Sequence, residues 1–161
     1  RLAVMGDSVG GSLATVLASQ LAEQAQLPAP RLQVLVYPVT DASRSRASTQ
    51  RYASGYLLEQ QTLEWFYRQY ARQPADRLDP RFSPLLGAVS PQAAPALLLV
   101  AECDPLHDEG VAYARHLEEG GVPVNLQVMA GVTHDFMRMG LIIEEAEEGL
   151  ALVVEALRER L

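Results

Sequence analysis

An α/β fold, a mostly parallel sheet flanked by helices, is predicted by three features of this 161-residue chain. Short apolar runs alternate with longer amphipathic stretches, the order expected of strands and helices in layers. The run at residues 96–101 (ALLLVA) is apolar throughout, as a parallel strand covered on both faces requires. Between the first apolar run and the first helical stretch lies Gly6-Asp7-Ser8-Val9-Gly10-Gly11, a tight strand-to-helix turn that carries a serine.

Taken in order, residues 2–5 read as a buried strand and residues 10–25 as a helix. Leu13, Val16, Leu17 and Leu21 share one face of that helix and are the expected core contacts. Pro28 and Pro30 end it. Residues 32–37 (LQVLVY) form a second strand closed by Pro38, and residues 40–54, polar and rich in Ser and Arg, read as loop. Residues 58–71 read as a helix carrying Leu63, Trp65, Phe66 and Tyr70, followed by a loop marked by Pro74, Pro80, Pro84 and Pro91. After the third strand at 96–101, residues 108–119 make a helix ended by Gly120 and Gly121. Residues 124–129 make a fourth strand whose alternation suits an edge. Residues 144–161 make the closing helix, with Glu144, Glu145, Glu147 and Glu148 on its solvated first turns.

Composition excludes several classes of function. Hydrophobic residues make up 48% of the chain, enough for a substantial core, and the net charge is −7. No basic stripe exists, so nucleic acid is not an expected partner. The thirteen basic residues are all arginine, which is read as compositional bias. Cys103 is the single cysteine, so no internal disulfide can form; a reducing, cytoplasmic setting fits. No apolar run is long enough for a membrane span, and the first residues lack signal-peptide character. A core strand starting beside Arg1, with one edge uncovered, leads us to expect the C-terminal part of something longer.

Three residues carry the expected chemistry. Ser8 sits at the centre of Gly-x-Ser-x-Gly between strand and helix, the setting of a nucleophile elbow. Gly6 and Gly10, two residues to either side, are expected to let strand and helix approach closely. A Gly-rich turn alone would look the same, so the downstream residues decide. Asp104 lies just past the third strand in Asp104-Pro105-Leu106-His107-Asp108-Glu109, where a carboxylate faces the carboxyl end of the sheet. It would orient an imidazole and stabilise its protonated form. Asp108 is the alternative acid, although its place at a helix start suits capping. His134, on a loop after the fourth strand, is the candidate general base. Of the other histidines, His116 is expected to be exposed in mid-helix and His107 to lie at a pocket rim or surface. His107, Asp104 and Asp108 match no metal-ligand spacing, and no metal is expected.

With these motifs the chain resembles the hormone-sensitive-lipase-like esterases, a branch of the α/β-hydrolases. GDSVGG stands where the branch shows GDSAGG, DPLHDEG (104–110) where it shows DPLRDEG, and HDF where it commonly shows HGF. Tyr37-Pro38, Gly55-Tyr56-Leu57 and Ser83-Pro84-Leu85 are further landmarks, so the resemblance spans nearly the whole chain. It implies a triad of Ser8, Asp104 and His134, with Asp7 as a structural neighbour of the elbow and Gly11 completing the motif. It implies that the Val9 N–H is one oxyanion donor. The remaining donors come, in this family, from an upstream HGGG-type loop absent from these residues. The N-terminal strands and cap are absent too, apart from any contribution by residues 40–63. Asp135 replaces a glycine, leaving the backbone beside His134 to be settled by structure.

The resemblance further implies a carboxylic ester hydrolase working through an acyl-enzyme on small esters of short to medium acyl length, without cofactor or metal. Lost oxyanion donors cost roughly 3–4 kcal/mol each in the transition state, so residues 1–161 alone are expected to be inactive. An imidazole base implies activity that falls in acid, in the range around ~6.5. Tyr37, Tyr56, Trp65, Phe66 and Phe136 either line a pocket or, as most aromatics at such positions do, belong simply to the core. Amide or lactone hydrolysis would use the same groups. A non-catalytic hydrolase-fold receptor and an inactive structural fragment are the competing readings. Family members often pair through the last strand or helix, which makes the strand at 124–129 a candidate homodimer contact.

Overall fold

The computed structural model describes residues 1–24 and 26–161. Four strands form one parallel sheet in sequence order: β1 (Val4–Asp7), β2 (Gln33–Val36), β3 (Ala96–Cys103) and β4 (Val124–Thr133). The helices are α1 (Val9–Ala22), α2 (Ala47–Arg51), α3 (Gln60–Tyr70), α4 (His107–Glu119) and α5 (Glu144–Arg160).

Successive side chains of a strand point to opposite faces, and the core divides accordingly. Val34, Val36, Leu97 and Leu99 pack on one face with Val153 of α5. Leu35 and Leu98 pack on the other with Ala14 of α1 and Tyr113, Ala114 and Leu117 of α4. The Thr15 and Tyr113 hydroxyls, 2.7 Å apart, tie α1 to α4 on that face. All strands run the same way, so their carboxyl ends share one rim, and that rim carries the residues singled out above.

Several boundaries differ from the sequence reading. β1 begins and ends two residues later, because the chain stays paired with β2 through Asp7, right up to the turn. β3 and β4 run on to Cys103 and Thr133, with a register shift between Ala101 and Cys103. His134 therefore follows the end of a strand and does not sit on a loop opening after Met129. β4 pairs with β3 alone among the described residues, as an edge strand should.

The first helix reverses its expected face. Its buried residues are Gly11, Ser12, Ala14, Thr15 and Ala18, whereas Leu13 and Leu17 are exposed. Small residues win the sheet-facing side because α1 lies very close to the strands: a Cβ on Gly11 would stand 2.8 Å from Pro38 Cβ. The expected end of this helix, Ala25, lies outside the described residues. Residues 40–54 are not wholly loop, since they contain α2. That short polar helix has no apolar period; it is held through Ser48, whose N–H donates to Asp108 Oδ2 at 2.8 Å and whose Oγ donates to the Pro105 carbonyl at 2.9 Å.

Candidate active site

The turn between β1 and α1 gives Ser8 the backbone angles φ 53°, ψ −122°. A non-glycine residue there is strained, and it persists because the surroundings hold it. The Ser8 N–H donates to Val36 O at 2.9 Å, and the Ser8 carbonyl accepts from Val39 N at 3.2 Å and Gly11 N at 3.0 Å. Gly6 makes the turn feasible, since a Cβ there would lie 2.0 Å from the Gly10 carbonyl oxygen. A Cβ on Gly10 would meet only Asp7 Oδ1, at 3.7 Å. The close approach expected of Gly6 and Gly10 thus rests on Gly6 and Gly11. Val9 is the first residue of α1, so its N–H belongs to the helix-start donors that have no partner within the helix.

Ser8, Asp104 and His134, from three different strand ends, come together. His134 Nε2 lies 3.0 Å from Ser8 Oγ, and His134 Nδ1 lies 2.7 Å from Asp104 Oδ2. A carboxylate only accepts, so Nδ1–H donates to Asp104 and leaves Nε2 free to accept the serine proton. The other Asp104 oxygen accepts the Leu106 N–H at 2.8 Å, which fixes the carboxyl plane. Asp104 and His134 are 1% and 4% exposed, whereas Ser8 is only half-buried, open to an incoming molecule. Asp108, the alternative acid, instead exchanges hydrogen bonds with Ser48.

One histidine reading is corrected, that of His116, and the other is narrowed, since His107 keeps the surface alternative with partial exposure. His116 is half-buried, its Nε2 bonded to the Gly87 carbonyl at 2.8 Å. His107 begins α4, with Nδ1 bonded to the Ala101 carbonyl at 2.9 Å, and takes no part in the rim. Among the described residues no group of three or more His, Cys, Asp and Glu could hold a metal ion, and no helix is long and apolar enough to cross a membrane.

The glycine-to-aspartate departure is resolved by the backbone. Asp135 takes φ 63°, ψ 9°, the left-handed region that aspartate tolerates better than most side chains. Beneath the imidazole lies Tyr37, its ring 4.5 Å from that of His134 and 5.6 Å from Phe136. Burial, with Asp135 and Asp7 nearby, pushes the Tyr37 phenol well above its ordinary range. Tyr37 therefore supports His134 from the core with Phe136 packed on Tyr37, so that of the two readings of these aromatics, pocket or core, core holds for this pair.

A cavity of about 740 Å³ opens over Ser8 and His134. Its opposite wall includes Val39, Leu58, Leu63, Phe66, Tyr67, Tyr70 and Phe82, with Gln69 and Arg81 among them. Of the aromatic residues expected to line it, Phe66 alone does so. Tyr67, Tyr70 and Phe82 were missed because Tyr67 and Phe82 meet only in the tertiary structure, edge to face at 5.7 Å. Glu109 was missed too. It is buried, accepts the Thr40 N–H at 2.7 Å and the Asp41 N–H at 3.2 Å, and is pushed up to about 8 by burial.

A protein-family model described as an alpha/beta hydrolase fold matches residues 1–138. An ethyl acetate hydrolase of Pseudomonas putida is 75% identical over 161 residues, covering 100% of this chain and 51% of that protein. A carboxylic ester hydrolase, LipN, of Mycobacterium tuberculosis is 38% identical over 165 residues, covering 100% of this chain and 44% of its own length. The crystal structure of EstE1, a thermophilic carboxylesterase from a metagenomic library, superposes with a TM-score of 0.93 at 34% identity, covering 100% of this chain and 55% of that one. The chain spans about half the length of the curated relatives it matches.

Proposed function

The chain belongs to the α/β-hydrolase fold family, and from that footing we propose that it furnishes the Ser-His-Asp machinery of a carboxylic ester hydrolase acting through an acyl-enzyme. One observation carries the reading: the unbroken hydrogen-bonded line from Asp104 through His134 to Ser8, at 2.7 and 3.0 Å.

In this reading Ser8 Oγ attacks the ester carbonyl while His134 Nε2 takes its proton. Asp104 holds the ring in the tautomer that can accept and stabilises the imidazolium that forms. The oxyanion develops beside the Val9 N–H at the positive end of α1, with further donors from outside these residues. His134 returns the proton to the departing alkoxide. It then takes a proton from water, which attacks the acyl carbon; the acyl–Oγ bond breaks, the acid leaves, and His134 returns the proton to Ser8 Oγ.

Short to medium acyl chains are the proposed substrates. The ethyl acetate hydrolase at 75% identity supports that choice, as does the largely apolar wall of the cavity over Ser8, whose Arg81 is exposed and paired with Asp79. Complete acid, base and nucleophile weigh against a receptor without turnover.

A fluorophosphonate probe tests the assignment in the full-length protein. Covalent labelling and p-nitrophenyl acetate turnover are both expected to vanish in Ser8→Ala, with a loss of at least about 10³-fold. Labelling that survives the substitution sinks the assignment.

A further inference from the structure

Arg138 closes the one-turn helix Phe136–Arg138 that follows His134. Its Nη2 donates to Asp7 Oδ2 at 2.8 Å, and its Nε lies 3.8 Å from Asp135 Oδ1. Asp7 immediately precedes Ser8 and Asp135 immediately follows His134. One cation therefore spans the chain neighbours of both reacting residues, across 131 positions of sequence. Asp7, Asp135 and Arg138 all border the cavity that holds Ser8 and His134.

On the reading of Ser8 and His134 as a reacting pair, we propose that Arg138 is a positioning residue: it fastens the histidine segment to the serine elbow through Asp7 and offsets one of the two negative charges that Asp7 and Asp135 bring beside that pair.

The electrostatic setting is specific. Around His134 stand Asp104 at the end of β3, Ser8 on the elbow, Tyr37 at the end of β2, Asp7 at the end of β1, and Asp135 and Arg138 on its own segment. Only the Asp104 charge has a task in the proton transfer. Asp7 and Asp135 add two negative charges at the mouth of the site. Left uncompensated, these would favour a protonated ring in the resting protein and repel the oxyanion forming on a substrate. The same charges act on Tyr37 beneath the ring, where Asp135 and Asp7 push the phenol up and Arg138 draws it down. The Asp7 hydrogen bond and the charges of Asp135 and Asp7 hold the Arg138 guanidinium above its own ordinary value. The Arg138 side chain is 70% exposed. Ion pairs so open to water add little to folding stability, so loss of the Arg138 side chain is expected to leave the fold intact.

The test uses Arg138→Gln, Arg138→Lys and the double variant Asp7→Asn/Asp135→Asn in the full-length protein. The His134 ring is titrated by NMR, and kcat/KM is followed against pH. In Arg138→Gln the His134 midpoint and the acid limb of kcat/KM are expected to rise together by roughly half a unit. At the plateau kcat is expected to fall about tenfold. Arg138→Lys should restore the midpoint, since it restores the charge. The double variant, with Arg138 unopposed, should move the midpoint down, which keeps the test open if Arg138→Gln does not fold. A midpoint that stays put or moves the opposite way in either variant overturns the proposal. The NMR titration needs no turnover, so a midpoint shift in a protein that fails to label at Ser8 separates this inference from the esterase reading.

Discussion

The floor and the far wall of the cavity are built by different means. The floor consists of strand ends. Ser8 is pinned by backbone bonds to Val36, Val39 and Gly11, and Asp104 by the Leu106 N–H, while His134 rests on Tyr37, which packs in turn on Phe136. The wall is a helix and a Pro-rich segment joined by side chains. Tyr67 packs on Phe82, and Arg77 reaches Glu64 at 3.0 Å, while Phe66 and Tyr70 stay more than half exposed. On the proposed mechanism the floor holds the reacting atoms, which tolerate little displacement and gain from main-chain bonding that fixes position. A wall that only receives an apolar group needs shape and area, and side-chain packing supplies both.

The sharpest way to break this comparison is a methyl group on the floor. Gly6→Ala is expected to cost at least about 3 kcal/mol, because the new Cβ falls on backbone that cannot retreat. Gly10→Ala, in the same motif, should be neutral or stabilising by up to ~1 kcal/mol, since it adds a helix former whose Cβ makes only ordinary contact with Asp7 Oδ1. Thermal unfolding of the two variants checks this, and equal losses would contradict it.

A middle-sized effect tests the junction between floor and wall. Glu109 joins α4 to Thr40 and Asp41, on the way to α3. Its folded value of about 8 lies above the ordinary carboxylate value of 4.5. The folded state therefore binds more protons between those limits, and stability declines as pH rises through them. Glu109→Gln keeps an acceptor but cannot ionise. It should flatten the fall in Tm between about pH 5 and about pH 8, and a slope identical to the parent would remove Glu109 as its source.

The smallest expected effect lies on the wall. Phe66→Ala should raise KM for medium-chain esters by roughly three- to tenfold and leave kcat within about twofold, the mark of lost uniform binding. A fall in kcat with unchanged KM would place this wall within the machinery of the floor.

Much of the floor was legible because its signals are local. A serine between small residues after an apolar run must turn sharply, and the order of serine, aspartate and histidine follows strand ends that share one rim. The layers were legible because periodicity reports burial. The sheet-facing side of α1 misled because the helix is apolar nearly all round; which side wins depends on how closely a neighbouring chain segment approaches, here Pro38 against Gly11. α2 was hidden because its hydrogen bonds come from Asp108 and Pro105, some 57 to 60 residues away.

The sequence by itself determined the α/β class, the place of the turn at Ser8 and the residue types able to move a proton, since each follows from neighbours along the chain. Tertiary structure alone decided that Tyr37 supports the imidazole, that Arg138 meets Asp7 and that Phe82 closes the wall beside Tyr67. Those contacts join residues from 15 to 131 positions apart, and no local pattern encodes which side chains folding will bring within a few ångströms.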